Sequence, residues 1–177
     1  MTEDPEQQYR RLRLKKSLED LRVMKGMGTE LVSVLIPPDK KIHDVRQQLS
    51  QEAGQAANIK SKSTKKHVQD AIESAIATLN RHPSPGERGI ALFVGHVIVG
   101  NNKTKLVSVV LDDPPETLQS FRYRCDSVFE ISQLEEMLID RTSYGLFVID
   151  RGEAAYGIAT GRRIHCQEEL QSNIMGK

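Results

Sequence analysis

One stretch of the sequence concentrates positive charge with no acid to offset it. Its lysines are Lys60, Lys62, Lys65 and Lys66. No acidic residue occurs between Glu52 and Asp70. Ammonium groups this close together favour the binding of a polyanion, because each can contact a phosphate. The alternative is an ordinary solvated turn, since lysine-rich runs are common on protein surfaces.

An apolar series directly after these lysines predicts a helix whose N-terminus they surround. The series is Val68, Ile72, Ala75, Ile76 and Leu79, which has the period of a helix with one buried face. Ser63 is a suitable N-cap, because its hydroxyl can accept from a free N–H of the first turn. Lysines at the positive end of a helix cost up to ~1 kcal/mol each, whereas a phosphate there is favoured. The position of the lysines therefore favours an anionic ligand.

A carboxylate stands at the end of the preceding predicted helix. The apolar stripe of that helix is formed by Ile42, Val45 and Leu49. Glu52 extends this stripe shortly before Gly54, which is expected to end the helix. A carboxylate is unfavourable there because of the helix dipole and the apolar neighbours, although the side chain can simply bend out to water. Glu52 and the lysines lie at the tip of the same predicted helical hairpin, and both are unfavourably placed there. Their combination indicates that a ligand binds at this tip.

Length and composition limit the class of protein. The 177 residues suffice for one ordinary domain and part of a second. Apolar residues make up 38% and charged residues 28%, which predicts a packed core and excludes wholesale disorder. The net charge is +1, so affinity for nucleic acid must come from local patches such as the lysine cluster.

Signals for membranes, metals and catalysis are missing from the sequence. Cys125 and Cys166 have neither metal-ligand spacing nor a disulfide framework, which favours a reducing cytosol. No apolar run is long enough to span a bilayer, and the charged N-terminus is unlike a secretory leader. The histidines lack metal spacing, and no nucleophile–base pair is apparent. We expect a cytoplasmic protein without a membrane partner, a metal or a cofactor.

The remaining patterns predict a mixed α+β chain. A first helix begins at Asp4-Pro5 and should stop near Gly26 or Gly28. Asn101-Asn102 can turn the chain of a β-hairpin. The predicted strands are 31–36, 90–99, 106–111 and a short one in which Phe121, Tyr123 and Cys125 share a face, and a helix over 131–138 follows them.

Composition shifts at residues 140–143, and the pattern changes with it. Strands are predicted at 146–149, at 155–160 and from Arg163 onward. Three strands in succession with no helix to cover them do not make a stable unit by themselves. We therefore expect one domain over residues 1–141 and an incomplete second domain over 142–177.

Three patterns together resemble the N-terminal part of the archaeal and eukaryotic class 1 translation termination factors, the peptide chain release factors. Residues 58–61 are Asn-Ile-Lys-Ser and match the family's N-I-K-S motif. Tyr123, Cys125 and Phe129 match its Y-x-C-x-x-x-F motif. Glu52 falls six residues before Asn58, where the family carries a codon-reading glutamate. The resemblance covers essentially the whole chain, and the combination is specific.

This resemblance implies a fold and a stop-codon site. The fold is α+β, with a four-stranded β-sheet flanked by helices, a protruding helical hairpin that carries N-I-K-S, and then the first strands of the middle domain. Asn58 and Lys60 would contact the first base, which is always uridine. Glu52 and the strand face that carries the tyrosine would contact the purines that follow. The predicted stop-codon or RNA-binding residues are Gly28, Thr29, Glu52, Asn58, Ile59, Lys60, Ser61, Lys62, Tyr123, Cys125 and Phe129.

The roles of some of these residues stay open. Gly28-Thr29 matches a loop implicated in reading the third base, but Glu30 stands where the family commonly has serine, which leaves its role undetermined. Cys125 could be an ordinary core residue, since free cysteine is commonly buried. Phe129 could likewise belong to the core, or support Tyr123 from behind.

The family's catalytic Gly-Gly-Gln loop is absent from the sequence. We therefore expect the chain to recognise stop codons in the ribosomal A site without hydrolysing peptidyl-tRNA, a reaction that the full-length factor would promote. The implied partners are the mRNA stop codon, small-subunit rRNA and the ribosome. A class 2 GTPase release factor would bind through regions missing here. The alternative is a ribosome-associated RNA-binding adaptor of the same fold without codon specificity.

Overall fold

Helices and strands are described for residues 4–139, 143–160 and 163–171 of the computed structural model. The helices are α1 (Pro5–Val23), α2 (Ile42–Ala56), α3 (Lys62–Leu79) and α4 (Ser132–Glu136). The strands are β1 (Leu31–Ile36), β2 (Ile90–Gly100), β3 (Lys103–Asp112), β4 (Arg122–Asp126), β5 (Ser143–Ile149), β6 (Glu153–Thr160) and β7 (Arg163–Gln171). None of the described helices is both long and apolar enough to cross a membrane.

The first four strands form one antiparallel sheet in the order β3-β2-β1-β4. All residues of β1 are buried, as expected of a central strand built from the run Leu31–Ile36. The prediction of an α+β domain with a four-stranded sheet, flanking helices and a helical hairpin is confirmed. Because β1 lies between β2 and β4, it brings the ends of both strands next to the loop that precedes it.

Each face of this sheet is covered separately. Val32, Val34 and Ile36 belong to one apolar cluster with the buried stripes of α2 and α3. Side chains alternate along a strand, so Ser33 and its partner Phe93 point to the opposite face. There the ring of Phe93 meets Phe129 edge to face at 5.6 Å. The α2–α3 hairpin therefore lies on one side of the sheet, and Phe129 lies on the other.

Side chains at the helix ends explain where the helices begin and end. The Asp4 carboxylate accepts from the Glu6 N–H and caps α1, as predicted. The prediction of Ser63 as the cap of α3 was wrong, because Ser61 takes that position and accepts from the Thr64 N–H at 3.3 Å. The prediction that Gly54 ends α2 was also wrong. The helix continues to Ala56, whose buried side chain joins the apolar cluster.

The turn of the β2–β3 hairpin follows the sequence closely. Asn101 and Asn102 have φ angles of 47° and 56°, in the left-handed region that asparagine tolerates better than most residues. Two such residues in succession form the kind of turn whose twist matches a right-handed strand pair. The prediction of a hairpin about these asparagines is confirmed.

The described residues from Leu138 onward form a separate compact unit. Its described part is an antiparallel sheet in the order β5-β6-β7. Large apolar side chains such as Phe147 and Ile149 are about two-thirds exposed in it, at 65% and 70%. The three predicted strands are present, without a described helix to cover them. The predicted domain boundary, between residues 141 and 142, lies outside the described residues.

Candidate nucleic-acid interface

The loop between α2 and α3 presents polar side chains on an apolar anchor. Ile59 is half-buried and packs against the cluster beneath the two helices. Its neighbours Asn58 and Lys60 are exposed. Ser61 is held in place by three contacts of its hydroxyl, one to the Thr64 N–H, one to the Thr64 hydroxyl at 3.0 Å and one to the Ser63 hydroxyl at 3.1 Å. The anchor and the cap fix the backbone from which Asn58 and Lys60 project.

The lysine cluster surrounds the N-terminus of α3, as the sequence predicts. Lys62 is the first residue of the helix, and the first turn contains no acid. Lys60, Lys62 and Lys66 are exposed. None of the four lysines forms an ion pair within the ranges 4–139, 143–160 and 163–171. The free N–H groups and the dipole of the helix add to their charge, so the tip is suited to a phosphate or a carbonyl oxygen.

Tyr123 and Cys125 share the α2–α3 side of the sheet. They pair with Val34 and Val32 of β1, respectively, and both are half-buried against the apolar cluster. The Tyr123 hydroxyl lies 3.1 Å from the Cys125 sulfur. Arg122 and Arg124, on the opposite face, are exposed. The predicted alternation along β4 is thus confirmed.

Burial and the charge of Glu52 both act on this pair. Burial raises the pKa of Tyr123, and the contact with Cys125 and the Glu52 charge raise it further. Burial also raises the pKa of Cys125, and Glu52 again adds to the shift. Glu52, in the last two turns of α2, is thus close enough to both groups to act on them. The Tyr123 hydroxyl and the Cys125 thiol on this surface are therefore neutral at physiological pH, and the Glu52 side chain near them can accept hydrogen bonds.

This electrostatic arrangement predicts unequal reactivity of the two cysteines. The thiolate is the reactive form, so a thiol whose pKa is raised reacts slowly at neutral pH. Cys125 should be alkylated by iodoacetamide about tenfold or more slowly than exposed Cys166. The check is site-resolved mass spectrometry on the native chain, with the urea-unfolded chain as the control in which the two rates should converge. Equal rates in the native chain would contradict the raised pKa.

The loop that carries Gly28 and Thr29 lies beside the first turn of α3. A Cβ placed on Gly28 would stand 3.5 Å from the Thr64 hydroxyl oxygen, so Gly28 lies beside the Thr64 side chain. The Gly26 N–H donates to the Ser127 carbonyl at 2.9 Å, just beyond the end of β4. Thr29 is exposed. The structure therefore brings this loop next to the residues that follow the N-I-K-S tip.

Phe129 is the one predicted site residue that the structure sets apart from the others. It is buried, at 5% exposure, and packs on Phe93 across the sheet from Tyr123. The adjacent Glu130 N–H donates to the Ser33 hydroxyl at 2.9 Å. This placement favours the core-packing role for Phe129, in which it fixes the segment after β4.

Sequence reasoning missed His67, whose imidazole lies 2.9 Å from the buried Glu30 carboxylate. A signal was available, because His67 stands four and eight residues before Ala71 and Ala75, which are fully buried on α3. That spacing places a side chain on the buried face of a helix. No group of three or more His, Cys, Asp or Glu side chains in the described ranges could hold a metal ion.

The chain is similar to known proteins in both sequence and structure. The chain is 45% identical over 169 residues to "Peptide chain release factor subunit 1" of Picrophilus torridus, covering 96% of this chain and 41% of that protein. The protein of the same name from Methanosarcina mazei is 47% identical, with 96% and 40% covered. The chain thus spans about two-fifths of the length of these curated relatives.

A solved structure described as the archaeal translation termination factor aRF1 is 30% identical. It superposes with a TM-score of 0.66 over 91% of this chain and 44% of that one. The family model described as "eRF1 domain 1" matches residues 9–139, which include most of α1, all of α2 to α4, the hairpin tip and the tyrosine-bearing strand. This chain therefore belongs to the eRF1 domain 1 family.

Proposed function

We propose that this chain recognises mRNA stop codons in the ribosomal A site as part of a translation termination factor. The relatives' shared name, peptide chain release factor subunit 1, supports a role in translation termination. The observation that carries the residue-level proposal is the tip between α2 and α3. There Asn58 and Lys60 are exposed beside lysines that pair with no acid in the described part of the chain. An anionic or carbonyl-rich ligand would offset the repulsion among these charges at the helix N-terminus.

The first codon base is assigned to Asn58 and Lys60. Uracil presents carbonyl oxygens, and an ammonium or amide N–H can donate to them. Cytosine presents an amino donor at the corresponding edge, so the same groups would face a donor without an acceptor. The half-buried Ile59 between them keeps both side chains directed outward. Lys62 would contact the message backbone.

The purines that follow are assigned to Glu52, Tyr123 and Cys125. A carboxylate accepts from the exocyclic amino group of adenine, whereas the carbonyl of guanine repels it. The Tyr123 hydroxyl, whose pKa burial raises further above the ordinary value, is a neutral donor at physiological pH. Cys125 adds a small, neutral surface that a base can approach closely. Thr29, beside the start of α3, contributes a hydroxyl toward the third base.

We assign recognition, and not hydrolysis, to this chain. The sequence contains no Gly-Gly-Gln, the motif on which that hydrolysis depends in the family that the chain resembles. In the longer relatives, peptidyl-tRNA hydrolysis would follow recognition. Small-subunit rRNA is the expected neighbour of the basic tip, and a class 2 GTPase factor is a further expected partner of the whole termination factor.

The test is binding of the full chain to ribosomes whose messages differ only in the A-site codon. Binding to UAA, UAG and UGA should exceed binding to CAA and UAU by about tenfold or more, as expected for one base-specific contact. Lys16→Ala removes an exposed lysine on α1, away from the hairpin tip, and serves as the control for loss of one positive charge. It should leave the ratios of stop-codon to sense-codon binding unchanged. Equal binding to sense and stop codons would overturn the proposal and would leave the adaptor function as the better description.

A further inference from the structure

The carboxylate of Glu30 is almost completely buried, although it lies next to exposed Thr29. Its side chain is 2% exposed. One oxygen accepts from the Met27 N–H at 3.0 Å, which closes the loop on itself. The other oxygen lies 2.9 Å from Nδ1 of His67 on α3. One side chain thus ties the loop both to its own backbone and to the helix that carries the lysine cluster.

The imidazole of His67 is held in turn by a second histidine. The rings of His67 and His96, on β2, stack with their centroids 3.9 Å apart and 14° between their planes. Nε2 of His96 lies 3.3 Å from the Asp70 carboxylate, but neither ring nitrogen of His96 has an aligned hydrogen-bond partner among the described residues. The stacking therefore restricts the plane of the His67 ring and directs its Nδ1 at Glu30.

The backbone around Glu30 is fitted just as closely. A Cβ on Gly95 would lie 2.7 Å from the Glu30 carbonyl oxygen, so β2 accepts this residue only because Gly95 has no side chain. At the other end of the loop, the N–H of Ile98, also on β2, donates to the Lys25 carbonyl at 2.8 Å. Since Glu30 is enclosed by the loop, α3 and β2, its carboxylate cannot itself contact a codon.

We propose that Glu30 is a positioning residue which acts through His67 to hold Thr29 at a fixed place beside the N-terminus of α3. This inference rests on the proposed stop-codon function. A two-ended link fixes distance as well as orientation, because the loop and the helix are bound by different oxygens of one carboxylate. The consequence is that selection at the third codon base depends on a residue that never contacts the message.

The alternative is a buried polar pair that serves stability alone. Glu30→Ala removes both links, whereas Glu30→Gln can keep them. In Glu30→Gln the amide oxygen can accept from Met27 and the amide nitrogen can donate to the other tautomer of His67. Glu73→Gln, a neutralisation on the exposed side of α3, is the matched control.

The measurement is binding of the full chain to ribosomes carrying UAA, UAU or CAA. For Glu30→Ala, the preference for UAA over UAU should fall about fivefold, while the preference for UAA over CAA should change by less than twofold. Glu30→Gln and Glu73→Gln should retain both preferences. If Glu30→Ala does not fold, as judged by circular dichroism, His67→Ala takes its place with the same expected result.

The outcomes separate this inference from the function on which it rests. Wild-type chain that does not distinguish the three codons would overturn the proposed function. Wild-type chain that distinguishes them, together with a Glu30→Ala variant that keeps its preference for UAA over UAU, would overturn the positioning role alone. An equal loss of both preferences in Glu30→Ala would assign Glu30 to stability and would also overturn it.

Discussion

Lys60→Ala is expected to weaken binding to ribosomes carrying any stop codon by about 2 kcal/mol, close to thirtyfold. All stop codons begin with uridine, so the loss should be the same for each of them. The variant should also lose preference for uridine over cytidine at the first position, because the donor that meets the uracil carbonyl is removed. Equilibrium binding to UAA, UAG, UGA and CAA complexes measures both effects.

Lys62→Ala provides the comparison that isolates base reading from general attraction. Lys62 is exposed, like Lys60, but it begins the helix, where a phosphate contact is favoured. Removing the Lys62 side chain should weaken binding to stop and sense codons alike. It should also reduce the slope of log K against log salt concentration by about 1. If Lys60→Ala behaves in the same way, with its first-base preference intact, then Lys60 contacts the backbone and the assignment to uridine is wrong.

Glu52→Gln is expected to change the preference among stop codons by about tenfold or more. A carboxylate only accepts, so it favours adenine and opposes guanine at the second position. An amide both donates and accepts, so the variant should bind UGA better relative to UAA. The measurement is the ratio of the two dissociation constants, with Glu73→Gln on the exposed side of α3 as the control.

The same substitution has an independent readout within the protein. The Glu52 charge contributes to the raised pKa of Cys125, so its removal should make Cys125 more reactive toward iodoacetamide at neutral pH. A faster reaction together with an altered codon ratio would link both effects to one carboxylate. An equal loss of binding at UAA, UAG and UGA would argue against base reading by Glu52.

Much of the fold is encoded in local patterns. The buried strand Leu31–Ile36, the Asp4 cap and the Asn101-Asn102 turn each depend on a few adjacent residues, and all three were predicted correctly. The errors arose where two local solutions compete. Ser61 and Ser63 can both cap a helix, and the earlier serine prevails because α3 begins at Lys62.

Long-range pairing was beyond the reach of such patterns. Glu30 and His67 are 37 residues apart, and the residues next to each of them in the sequence give no indication that the two side chains pair. Only the packing of α3 against β1 and β2 brings them together. The position of Phe129 could not be predicted from local patterns either. Its motif spans β4 and the segment after β4, and the motif side chains in these two parts lie on opposite faces of the sheet. The Y-x-C-x-x-x-F motif thus indicates three candidate site residues, but only the sheet shows that Tyr123 and Cys125 lie on one face and Phe129 on the other.

The anchoring of the loop from Lys25 to Glu30 also bears on the kinetics of decoding. This loop is hydrogen-bonded at Lys25 to β2 and at Gly26 to the residue after β4, and so it is held from both edges of β1. A surface fixed before the message arrives loses little conformational entropy on binding. Cognate and near-cognate codons should then associate at similar rates, and fidelity would come from how quickly a mismatched codon dissociates.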